Sequence, residues 1–523
     1  MTIKVEKFGE VLRRVFGSLE NVPTKVGIGL SGGPDSMLLS WLLKTTNEQL
    51  MNNRLKIHAI TIDHSFRAGS KVEAQKLTPT MNNWGIKHSI KSLDYGDADP
   101  KLFTNFEEIA RIKRFEALND LCCEQRIPFL FLGHHKDDQV ETFVQRLQGN
   151  SSIYGLAGTR QVSPLPSSRD LPPLETKDGQ VFLVRPLLDF YKDDIVKTCE
   201  LHNIPYVIDP TNKNPKLTRR NFLRQVFGVT LPHMLNKHEN GNNKSTSRHD
   251  TPNPPPPTTF PYANIMKEEL AAAHNECVSL VETFEDKANL LHQILVRNGH
   301  LKKEPAIGKL SVELPRELLL NPNNIVTSRF FYQILYPYCT LNHYHWAYAK
   351  LERLVLPRME AFVRAGNLGS KKFSLMNFIF HVTYNALSPT VFIEITHAPH
   401  SRCELQKYRW QQSVMNGAWS KWRLFGKRYW LSFKCNTPHE KMDIEVVPYD
   451  HKSMKTLIDE SLRDSIDSFK FNTSLNTLPV VFFDGTIVSF PTLGYESHTL
   501  QLRWKIKENR FGYNSAFLSS IKS

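Results

Sequence analysis

The sequence predicts an α/β fold, with a doubly wound parallel sheet in the N-terminal domain, a helical domain after it and a β-rich domain at the C-terminus. Strand and helix patterns alternate over residues 26–210, which is typical of parallel βαβ units. Apolar residues recur at helical spacing over 266–297 and 326–354, and strand patterns predominate beyond residue 370. A chain of 523 residues is also too long for a single core, so we expect several domains.

The N-terminal elements follow one another in the order that a parallel sheet needs. An apolar run at 26–30 predicts a strand, and a glycine-rich segment at 31–36 separates it from a helix predicted at 37–43. Further elements are a strand at 55–63, a helix at 107–125 and a short buried strand at 128–132. The apolar face of the helix at 107–125 is assigned to Ile109, Ile112, Leu118 and Leu121. Because ligands bind beyond the carboxyl ends of such strands, motifs that follow them are expected to share one cleft.

A change of composition divides the chain. Residues 236–260 are rich in Asn, Ser and Pro, which indicates a low-complexity linker. We therefore predict an α/β domain at 1–235, the linker at 236–260, a helical domain at 261–365 and a β-rich domain at 366–523. In the last of these, strands are predicted at 373–384 and 391–396. Asp484-Gly485 predicts the turn of a hairpin over 480–490.

The bulk composition narrows the class of partner. A net charge of +14 favours a polyanion, of which nucleic acid is the usual one. Seven scattered cysteines without a C-x-x-C pair indicate a reducing compartment and neither a zinc ribbon nor an iron–sulfur site. No run of about twenty apolar residues occurs, so no membrane span is expected. Nothing in the sequence indicates an obligate protein partner.

The glycine-rich segment after the first strand has the chemistry of a phosphate site. It consists of Ser31, Gly32, Gly33, Pro34, Asp35 and Ser36. Such a turn presents backbone N–H groups and a helix N-terminus to an anion. The two serines add hydroxyl donors, and Asp35 can orient a Mg²⁺ ion that bridges phosphate oxygens. No lysine follows at the position that a Walker A loop requires, so this phosphate site is not a Walker A loop.

A second polar cluster follows the strand at 128–132. The segment Gly133–Thr142 holds two histidines, His134 and His135, and three carboxylates, Asp137, Asp138 and Glu141. Helical spacing puts these carboxylates on one face, where they can hold Mg²⁺ (with Asp138 and Asp35 as ligands), an amine substrate, or both. Asp63 and His64 end the second strand, where they either lie near the nucleotide or form an ordinary turn.

Together the two motifs resemble those of the PP-loop ATP pyrophosphatases, most closely the tRNA(Ile)-lysidine synthetases and more distantly the tRNA cytidine 2-thiolation enzymes. Further matches are the A-R-x-x-x-F pattern at 110–115, Gly155-Leu-Ala-Gly158, the R-P-L-L pattern at 185–188, and D-x-x-N at 209–212 with R-N-x-x-R at 220–224. The segment at 478–495 resembles the C-terminal domain of bacterial members. Two departures stand out. Gly149-Asn150 replaces the family's Arg-Gly pair, and Thr159 replaces a methionine.

The resemblance implies a two-step reaction on a tRNA(Ile) with a CAU anticodon. ATP adenylylates the C2 oxygen of cytidine 34 and releases pyrophosphate, and the amine of free L-lysine then attacks C2 and expels AMP to give lysidine. The residues that the resemblance puts in the reaction are Asp35, Arg111, Asp137, Asp138, Glu141 and Arg146, the two arginines as phosphate or adenylate clamps. The ATP site comprises the loop at 31–36 with Asp63, His64, His134 and His135. Which carboxylate binds lysine and which binds Mg²⁺ stays open.

Candidate tRNA contacts lie further along the chain. Arg220 and Arg224 are candidate phosphate contacts, or a pair on a helix surface. The stretch 407–430 holds six Lys or Arg, seven aromatics and no acid, which suits backbone neutralisation with base stacking. An aromatic-rich domain core with a basic rim would give the same pattern. The candidates in this stretch are Arg409, Trp410, Lys421, Arg423, Lys427 and Arg428.

Other functions remain open at this point. A tRNA 2-thiolation enzyme usually needs a C-x-x-C pair, whereas Cys122 and Cys123 are adjacent. A PP-loop ligase for a small molecule would not need the positive charge or the C-terminal domains. A tRNA-binding protein with a relic ATP loop is supported only by the lost Arg-Gly pair. The linker suggests a eukaryotic source and the reaction belongs to bacterial-type translation, so we expect the mitochondrial matrix or a plastid, with a bacterial cytoplasm as the alternative.

Overall fold

A computed structural model describes residues 2–64, 70–95, 106–166, 181–208, 222–223, 225–226, 261–321, 324–340, 347–366, 369–385, 387–436, 441–469, 473–497 and 502–508. The chain divides into two compact units, with the boundary after Glu282. The predicted linker at 236–260, the motif at 209–212, and Arg220 and Arg224 lie outside the described residues. The predicted domain boundaries at 235, 260 and 365 therefore stay predictions.

The first unit is built on one six-stranded sheet. Its strands are β1 (Lys25–Gly29), β2 (Lys56–Asp63), β3 (Lys87–Ser92), β4 (Phe129–Phe131), β5 (Val162–Pro164) and β6 (Phe182–Val184). Their order is β3-β2-β1-β4-β6-β5; all pairs are parallel except β5 with β6. The predicted doubly wound parallel sheet is confirmed. The strands β2 and β3 extend the sheet on one side of β1, and after β3 the chain crosses to the other side to form β4. Such sheets bind ligands at the switch point between β1 and β4.

Helices flank this sheet. They are α1 (Val5–Phe16), α2 (Pro34–Leu50), α3 (Ser70–Gln75), α4 (Thr78–Asn83), α5 (Phe106–Glu124), α6 (Lys136–Gln148), α7 (Ile153–Leu156), α8 (Lys192–Leu201) and α9 (Pro261–Arg297), of which α9 continues past the boundary. The apolar face of α1 is buried, and Phe16 contacts the ring of Phe129 edge-on at 5.2 Å. This contact seats α1 on the sheet.

The predicted apolar face of α5 is wrong at Ile112, whereas Leu118 is buried as predicted. Ile112 on α5 is 50% exposed, although the spacing had placed it toward the sheet. The buried positions of α5 include Ala110, Phe115, Leu118 and Cys122. The buried face therefore overlaps the predicted one at Leu118 and leaves Ile112 outside it. The misassignment arises because the sequence here carries apolar residues on more than one side of the helix.

The second unit contains a five-stranded antiparallel sheet covered by helices. The strands are β7 (Leu301–Glu304), β8 (Lys309–Pro315), β9 (Gly369–Leu375), β10 (Phe378–Tyr384) and β11 (Thr390–His397), in the order β7-β8-β11-β10-β9. The helices are α10 (Arg316–Leu320), α11 (Ile325–Leu335), α12 (Ala347–Lys350) and α13 (Leu356–Arg364). The strands β7 and β8 lie in a stretch where we had expected only helices. Their short length between two helical runs hides them from periodicity analysis.

The single strand predicted at 373–384 is in fact a hairpin. Met376 and Asn377 separate β9 from β10 with φ angles of 59° and 61°. Two successive left-handed residues fit the tight turn that joins antiparallel strands. The sequence concealed this turn because it lacks the usual glycine.

The C-terminal part of the second unit is β-rich, as predicted. Its strands are β12 (Trp410–Met415), β13 (Arg423–Phe425), β14 (Tyr429–Cys435), β15 (Lys441–Pro448), β16 (Pro479–Phe483), β17 (Thr486–Phe490), β18 (Tyr495–Glu496) and β19 (Leu502–Glu508). They form two sheets, β12-β15-β16-β17-β18 and β13-β14-β19. Short helices α14 (Arg402–Lys407), α15 (His451–Met454) and α16 (Glu460–Asp467) connect them. The hairpin at Asp484-Gly485 is confirmed, with φ angles of 46° and 72°.

The helices of the described segments include none that is both long and apolar enough to cross a membrane.

Candidate functional site

The glycine-rich loop between β1 and α2 is held in shape by its own serines. Ser31 N donates to Ser36 Oγ at 3.1 Å, and Ser36 Oγ donates to the carbonyl of Gly33 at 3.1 Å. Gly32 has a φ of 81°, which a residue with a side chain rarely adopts. Ser31 is exposed, whereas Ser36 is buried. Ser31 therefore presents the loop's accessible hydroxyl, and Ser36 fixes the curvature of the backbone.

The loop at the end of β4 packs directly against this segment. A Cβ on Gly133 would lie 2.9 Å from the carbonyl carbon and 3.1 Å from the Cβ of Asp35. These are mainly backbone atoms at the start of α2, which cannot give way without moving the loop. Only glycine at 133 allows the two motifs to meet at this distance. The close approach brings together the two clusters that the sequence had treated separately.

His135 lies between carboxylates from both motifs. Its Nε2 lies 3.8 Å from Asp35 Oδ1 and 3.6 Å from Asp138 Oδ1. Its backbone N donates to Asp138 Oδ2 at 3.0 Å, which caps the first turn of α6. His135 is only 4% exposed. The predicted grouping of His135 with Asp35 and Asp138 is therefore present in the structure.

Two lysines that sequence analysis did not single out complete the cluster. Lys192 Nζ on α8 donates to Asp35 Oδ1 at 2.5 Å, and the backbone N of Lys192 donates to Asp137 Oδ2 at 2.8 Å. Lys267 Nζ on α9 forms a salt bridge with Asp137 Oδ1. No motif marked either lysine, because each comes from an element distant in the sequence. The cluster thus combines carboxylates with primary ammonium groups.

The electrostatics of Asp137 follow from these contacts. Burial alone would raise the pKa of Asp137, but the neighbouring His135 and the ammonium of Lys267 hold that pKa well below its usual range. Asp137 is therefore an ionised group that binds cations. Glu141, one turn further along α6, is 5% exposed and faces the interior as well.

The negative charge of the carboxylates favours a bound cation, but the described side chains do not form a complete set of metal ligands. Within the described ranges no group of three or more His, Cys, Asp or Glu has the geometry of a metal site. Asp35 and Asp138 flank the same imidazole, and hard carboxylate oxygens of this kind suit Mg²⁺. Ligands supplied by a nucleotide would be needed to complete such a site.

The end of β2 is fixed by hydrogen bonds. Asp63 is buried, and its two carboxylate oxygens accept from Ser70 Oγ at 2.6 Å and Ser92 Oγ at 3.0 Å. Burial, followed by the charge of Arg114, lowers the pKa of His64, so this imidazole is neutral at pH 7. The carboxylate of Asp63 orders the turn, while His64 is the partly accessible member of the pair. His134 is half-buried immediately after β4.

The predicted arginine clamps lie on the unit's surface. Arg111 on α5 is exposed, and its guanidinium carbon lies 5.5 Å from the centre of the Phe115 ring. Arg146 is exposed in the last turn of α6. Their clamp roles stay predictions.

The loop at 155–158 is held between two helices. Gln139 on α6 donates to the carbonyl of Thr159 at 2.6 Å and accepts from Thr159 N at 2.9 Å. His274 Nε2 on α9 lies 3.1 Å from the carbonyl oxygen of Ala157. A Cβ on Gly158 would lie 2.9 Å from both helices' side chains. The residue that replaces the family's methionine thus has a backbone role here.

The basic and aromatic stretch at 407–430 divides into buried and exposed residues. Its buried aromatics are Tyr408, Trp410, Phe425, Tyr429 and Trp430, whereas Trp419 is 40% exposed. Arg428 is 4% exposed and donates to Thr477 Oγ1 at 2.6 Å and Tyr429 Oη at 2.7 Å. The aromatic-core interpretation therefore accounts for most of the rings, and Arg428 is a buried structural group rather than a surface contact.

The remaining candidates form a surface of exposed or half-buried cations. Lys421 is exposed, and Lys427 is half-buried. Arg423 is exposed above the Trp410 ring, with its guanidinium carbon 4.3 Å from the ring centre. Arg409 Nε lies 2.8 Å from Glu445 Oε1. We call Arg409, Lys421, Arg423 and Lys427 the basic surface of the second unit.

Comparison with known proteins finds relatives for part of the chain. A family model described as a PP-loop domain matches residues 5–230. A probable tRNA(Ile)-lysidine synthase from Schizosaccharomyces pombe is 32% identical over 233 residues, which are 43% of this chain and 48% of that protein. The tRNA(Ile)-lysidine synthase of Rickettsia rickettsii (strain Sheila Smith) is 32% identical over 220 residues, 42% of this chain and 41% of that protein. The chain thus spans about half the length, or less, of the curated relatives it matches.

Among solved structures, the U34-tRNA thiolase NcsA from Methanococcus maripaludis covers 53% of this chain and 80% of its own, with a TM-score of 0.36 and 17% identity. A likeness at this level carries no functional information.

Proposed function

We propose that the protein is a tRNA(Ile)-lysidine synthetase, on the basis of the PP-loop domain that matches residues 5–230. It adenylylates the C2 oxygen of cytidine 34 in a tRNA(Ile) with a CAU anticodon and releases pyrophosphate. The amine of free lysine then attacks C2, and AMP leaves with that oxygen. The observation that carries the proposal is the cluster of Asp35, Asp137 and Asp138 beside the glycine-rich loop, in contact with two primary ammonium groups. The likeness to two synthases of this name supports it for the first unit.

ATP use follows from the PP-loop domain. The backbone N–H groups of residues 31–36 and the N-terminus of α2 stabilise phosphate charge. Ser31 adds its accessible hydroxyl. When bound, Mg²⁺ would neutralise charge that develops on the phosphates, with Asp35 and Asp138 as the protein groups that hold it. Pyrophosphate is the leaving group of this first step.

The second step needs an amine held beside the activated base. The ε-ammonium of free lysine is the same chemical group as the two ammonium groups that contact Asp35 and Asp137. Asp137 is well suited to bind an ammonium, but its lowered pKa makes it a weak base. The proton that must leave the attacking amine is therefore accepted by another carboxylate, and Glu141 is the one in this cluster that is not assigned to Mg²⁺ or to the ammonium. The amine can then form the new carbon–nitrogen bond while AMP departs.

The second unit supplies the contacts to tRNA in this proposal. The net charge of +14 and the basic surface of the second unit suit a polyanionic ligand. Lys505 Nζ also lies 4.1 Å from the centre of the exposed Trp419 ring, which adds a cation and an aromatic face to the same sheet region. Basic groups near exposed rings bind nucleic acid through phosphate contacts and stacking.

A 2-thiolation enzyme is the weaker candidate on chemical grounds. Sulfur transfer requires a reactive thiolate. Burial raises the pKa of the Cys123 thiol to about 11, and burial also raises the pKa of Cys122. All seven cysteines are free, and Cys122 is inaccessible. The adjacent pair on α5 is therefore inert, as expected for cysteines of a helix packed on a sheet.

The mitochondrial matrix is the compartment that we propose, because a low-complexity insertion occurs in a chain whose reaction belongs to bacterial-type translation. Microscopy of the full chain with a fluorescent tag and a matrix marker tests this. Co-localisation supports the proposal, and a purely cytosolic signal contradicts it.

Asp35→Ala tests the assignment of the site. We expect tRNA-dependent pyrophosphate release to fall by at least 100-fold, as is common when a charged group that stabilises a transition state is removed. Affinity for tRNA should be nearly unchanged, because the proposal assigns Asp35 to the ATP step and tRNA binding to the basic surface of the second unit. Asp464→Ala, which removes an exposed carboxylate of the second unit, is the matched control. Full pyrophosphate release by Asp35→Ala would refute the assignment.

A further inference from the structure

Arg185 is a buried arginine, and no carboxylate in the described ranges pairs with its charge. It follows β6 directly and is only 7% exposed. Its Nη1 donates to the carbonyl of Arg160 at 2.9 Å and to Ser163 Oγ at 2.9 Å, both uncharged acceptors. The Nε atom is buried without a hydrogen bond. Among the residues that the structure describes, none accepts from Nη2 either.

Such an arrangement is costly unless something else supplies the opposite charge. A buried cation loses hydration, and only an anion or good acceptors restore it. Burial, followed by the neighbouring charge of Arg111, lowers the pKa of Arg185 to about 10. The group is still charged at pH 7, and a second guanidinium lies within electrostatic range. An anionic ligand would therefore be bound favourably at this point.

The position of Arg185 in the sheet puts it beside the carboxylate cluster. Leu132 N donates to the carbonyl of Val184 at 2.8 Å, which continues the register of Phe131 with Val184. Arg185 therefore lies opposite Leu132, one residue before Gly133, at the carboxyl edge of the sheet. Neighbouring strands are about 4.8 Å apart. One such step separates the end of β6 from the end of β4, where the segment with Asp137 and Asp138 begins. The cationic and the anionic groups thus occupy adjacent strand ends.

We propose that Arg185 binds the α-carboxylate of the free amino acid whose side-chain amine is held by the Asp137–Asp138 cluster. This inference rests on the proposed function and names how its second substrate is recognised. An extended lysine separates its ε-nitrogen from its carboxylate by about 7 Å, a length that spans adjacent strand ends with room for side chains. The guanidinium fork has two free donor positions, Nε and Nη2, which together fit the two oxygens of a carboxylate.

Two other anions of the reaction fit this position less well. The phosphates of ATP are taken up by the loop after β1, and β4 lies between β1 and β6. The backbone of a tRNA is bulky, whereas a guanidinium that is 7% exposed is reached most easily by a small group. A free amino acid is small enough, and its carboxylate carries no attached chain.

The test compares lysine with cadaverine, which has the same amines but no carboxylate. KM for each is measured from AMP release with tRNA and ATP saturating. Arg185→Gln should raise KM for lysine by roughly 10- to 100-fold, the effect expected when a hydrogen bond to a charged group is lost. KM for cadaverine and for ATP should not change. Arg185→Lys keeps the charge but not the forked guanidinium, so its KM for lysine should lie between those of wild type and Arg185→Gln.

Arg13→Gln, which removes an exposed guanidinium of α1, is the matched control and should leave every KM unchanged. A rise in KM for ATP or tRNA, with KM for lysine unchanged, would overturn the inference and assign Arg185 to a phosphate. Equal KM values for lysine and cadaverine in wild type would overturn it too. Failure of the proposed function itself is seen separately, because wild type would then transfer no lysine at all.

Discussion

Asp137 illustrates how single residues set the charge of the site. Its carboxylate is buried, yet an ammonium from α9 and a backbone N–H from α8 stabilise the ionised form. Its folded pKa is lower than its unfolded value near 3.8. A lowered pKa means that this ionised group contributes stability above the unfolded pKa and loses it as the pH falls toward the folded pKa.

Lys267→Met tests this dependence of stability on pH. The variant should unfold at a lower temperature than wild type at pH 7, because Asp137 keeps its charge but loses the ammonium. The difference should shrink as the pH falls below about 3.8, where Asp137 in the unfolded chain becomes protonated. Thermal unfolding across this pH range is the measurement. Lys267→Arg, which keeps the charge, is the control, and a pH-independent difference would contradict the assignment.

At the scale of elements, the site depends on the distance between the glycine-rich loop and the start of α6. Gly27, Gly29 and Gly133 all lie where a Cβ would meet neighbouring atoms at 2.6–3.1 Å. For Gly133 these neighbours belong to Asp35 itself. The junction between β4 and α6 thus fixes where Asp35 lies relative to His135 and Asp138.

Gly133→Ala tests this junction. The added methyl group can be accommodated only if the start of α2 moves, so we expect KM for ATP to rise at least tenfold, a cost in the range of core overpacking. Gly149→Ala is the matched control, because a Cβ there would meet its nearest atom at an ordinary 3.4 Å and φ is −83°. Unchanged kinetics in Gly133→Ala would show that the close packing does not position Asp35.

How much the sequence predicts differs between elements. The loop at 31–36 and the carboxylates after β4 are local patterns, so they were found with their correct strand and helix context. Lys192 and Lys267 were missed because 66 Lys and Arg residues offer no local mark of the few that reach the site. Arg185 lies within a recognised motif, but its burial is a tertiary property. The turn at Met376 and Asn377 was missed because left-handed conformations there have no glycine to signal them.

At the scale of the whole molecule, the two units differ in how their charged side chains are arranged. The first unit pairs carboxylates with ammonium groups at its site. The second carries cations over aromatic rings, Arg423 over the buried Trp410 and Lys505 over the exposed Trp419. A site that does chemistry on charged small molecules needs fixed local charges, whereas binding a large polyanion needs an extended basic surface. The two units thus have properties that suit different parts of one substrate set.

Removing cations from the basic surface should weaken tRNA binding without affecting ATP. For the double variant Lys421→Ala and Arg423→Ala, we expect the dependence of log K on log salt to become shallower by about 1.5, from about 0.7–0.9 for each phosphate contact. The matched control is Lys371→Ala with Lys372→Ala, two exposed lysines of β9. Equal salt slopes in both double variants would argue that the basic surface makes no phosphate contact.

The most direct test of the central claim is incorporation of labelled lysine into a tRNA(Ile) transcript with a CAU anticodon, in the presence of ATP and Mg²⁺. A transcript with U at position 34 is the matched control. The account predicts label on the first transcript only, with AMP and pyrophosphate released in equal amounts. Pyrophosphate release without label would contradict lysine as the nucleophile, and neither label nor release would contradict the enzyme altogether.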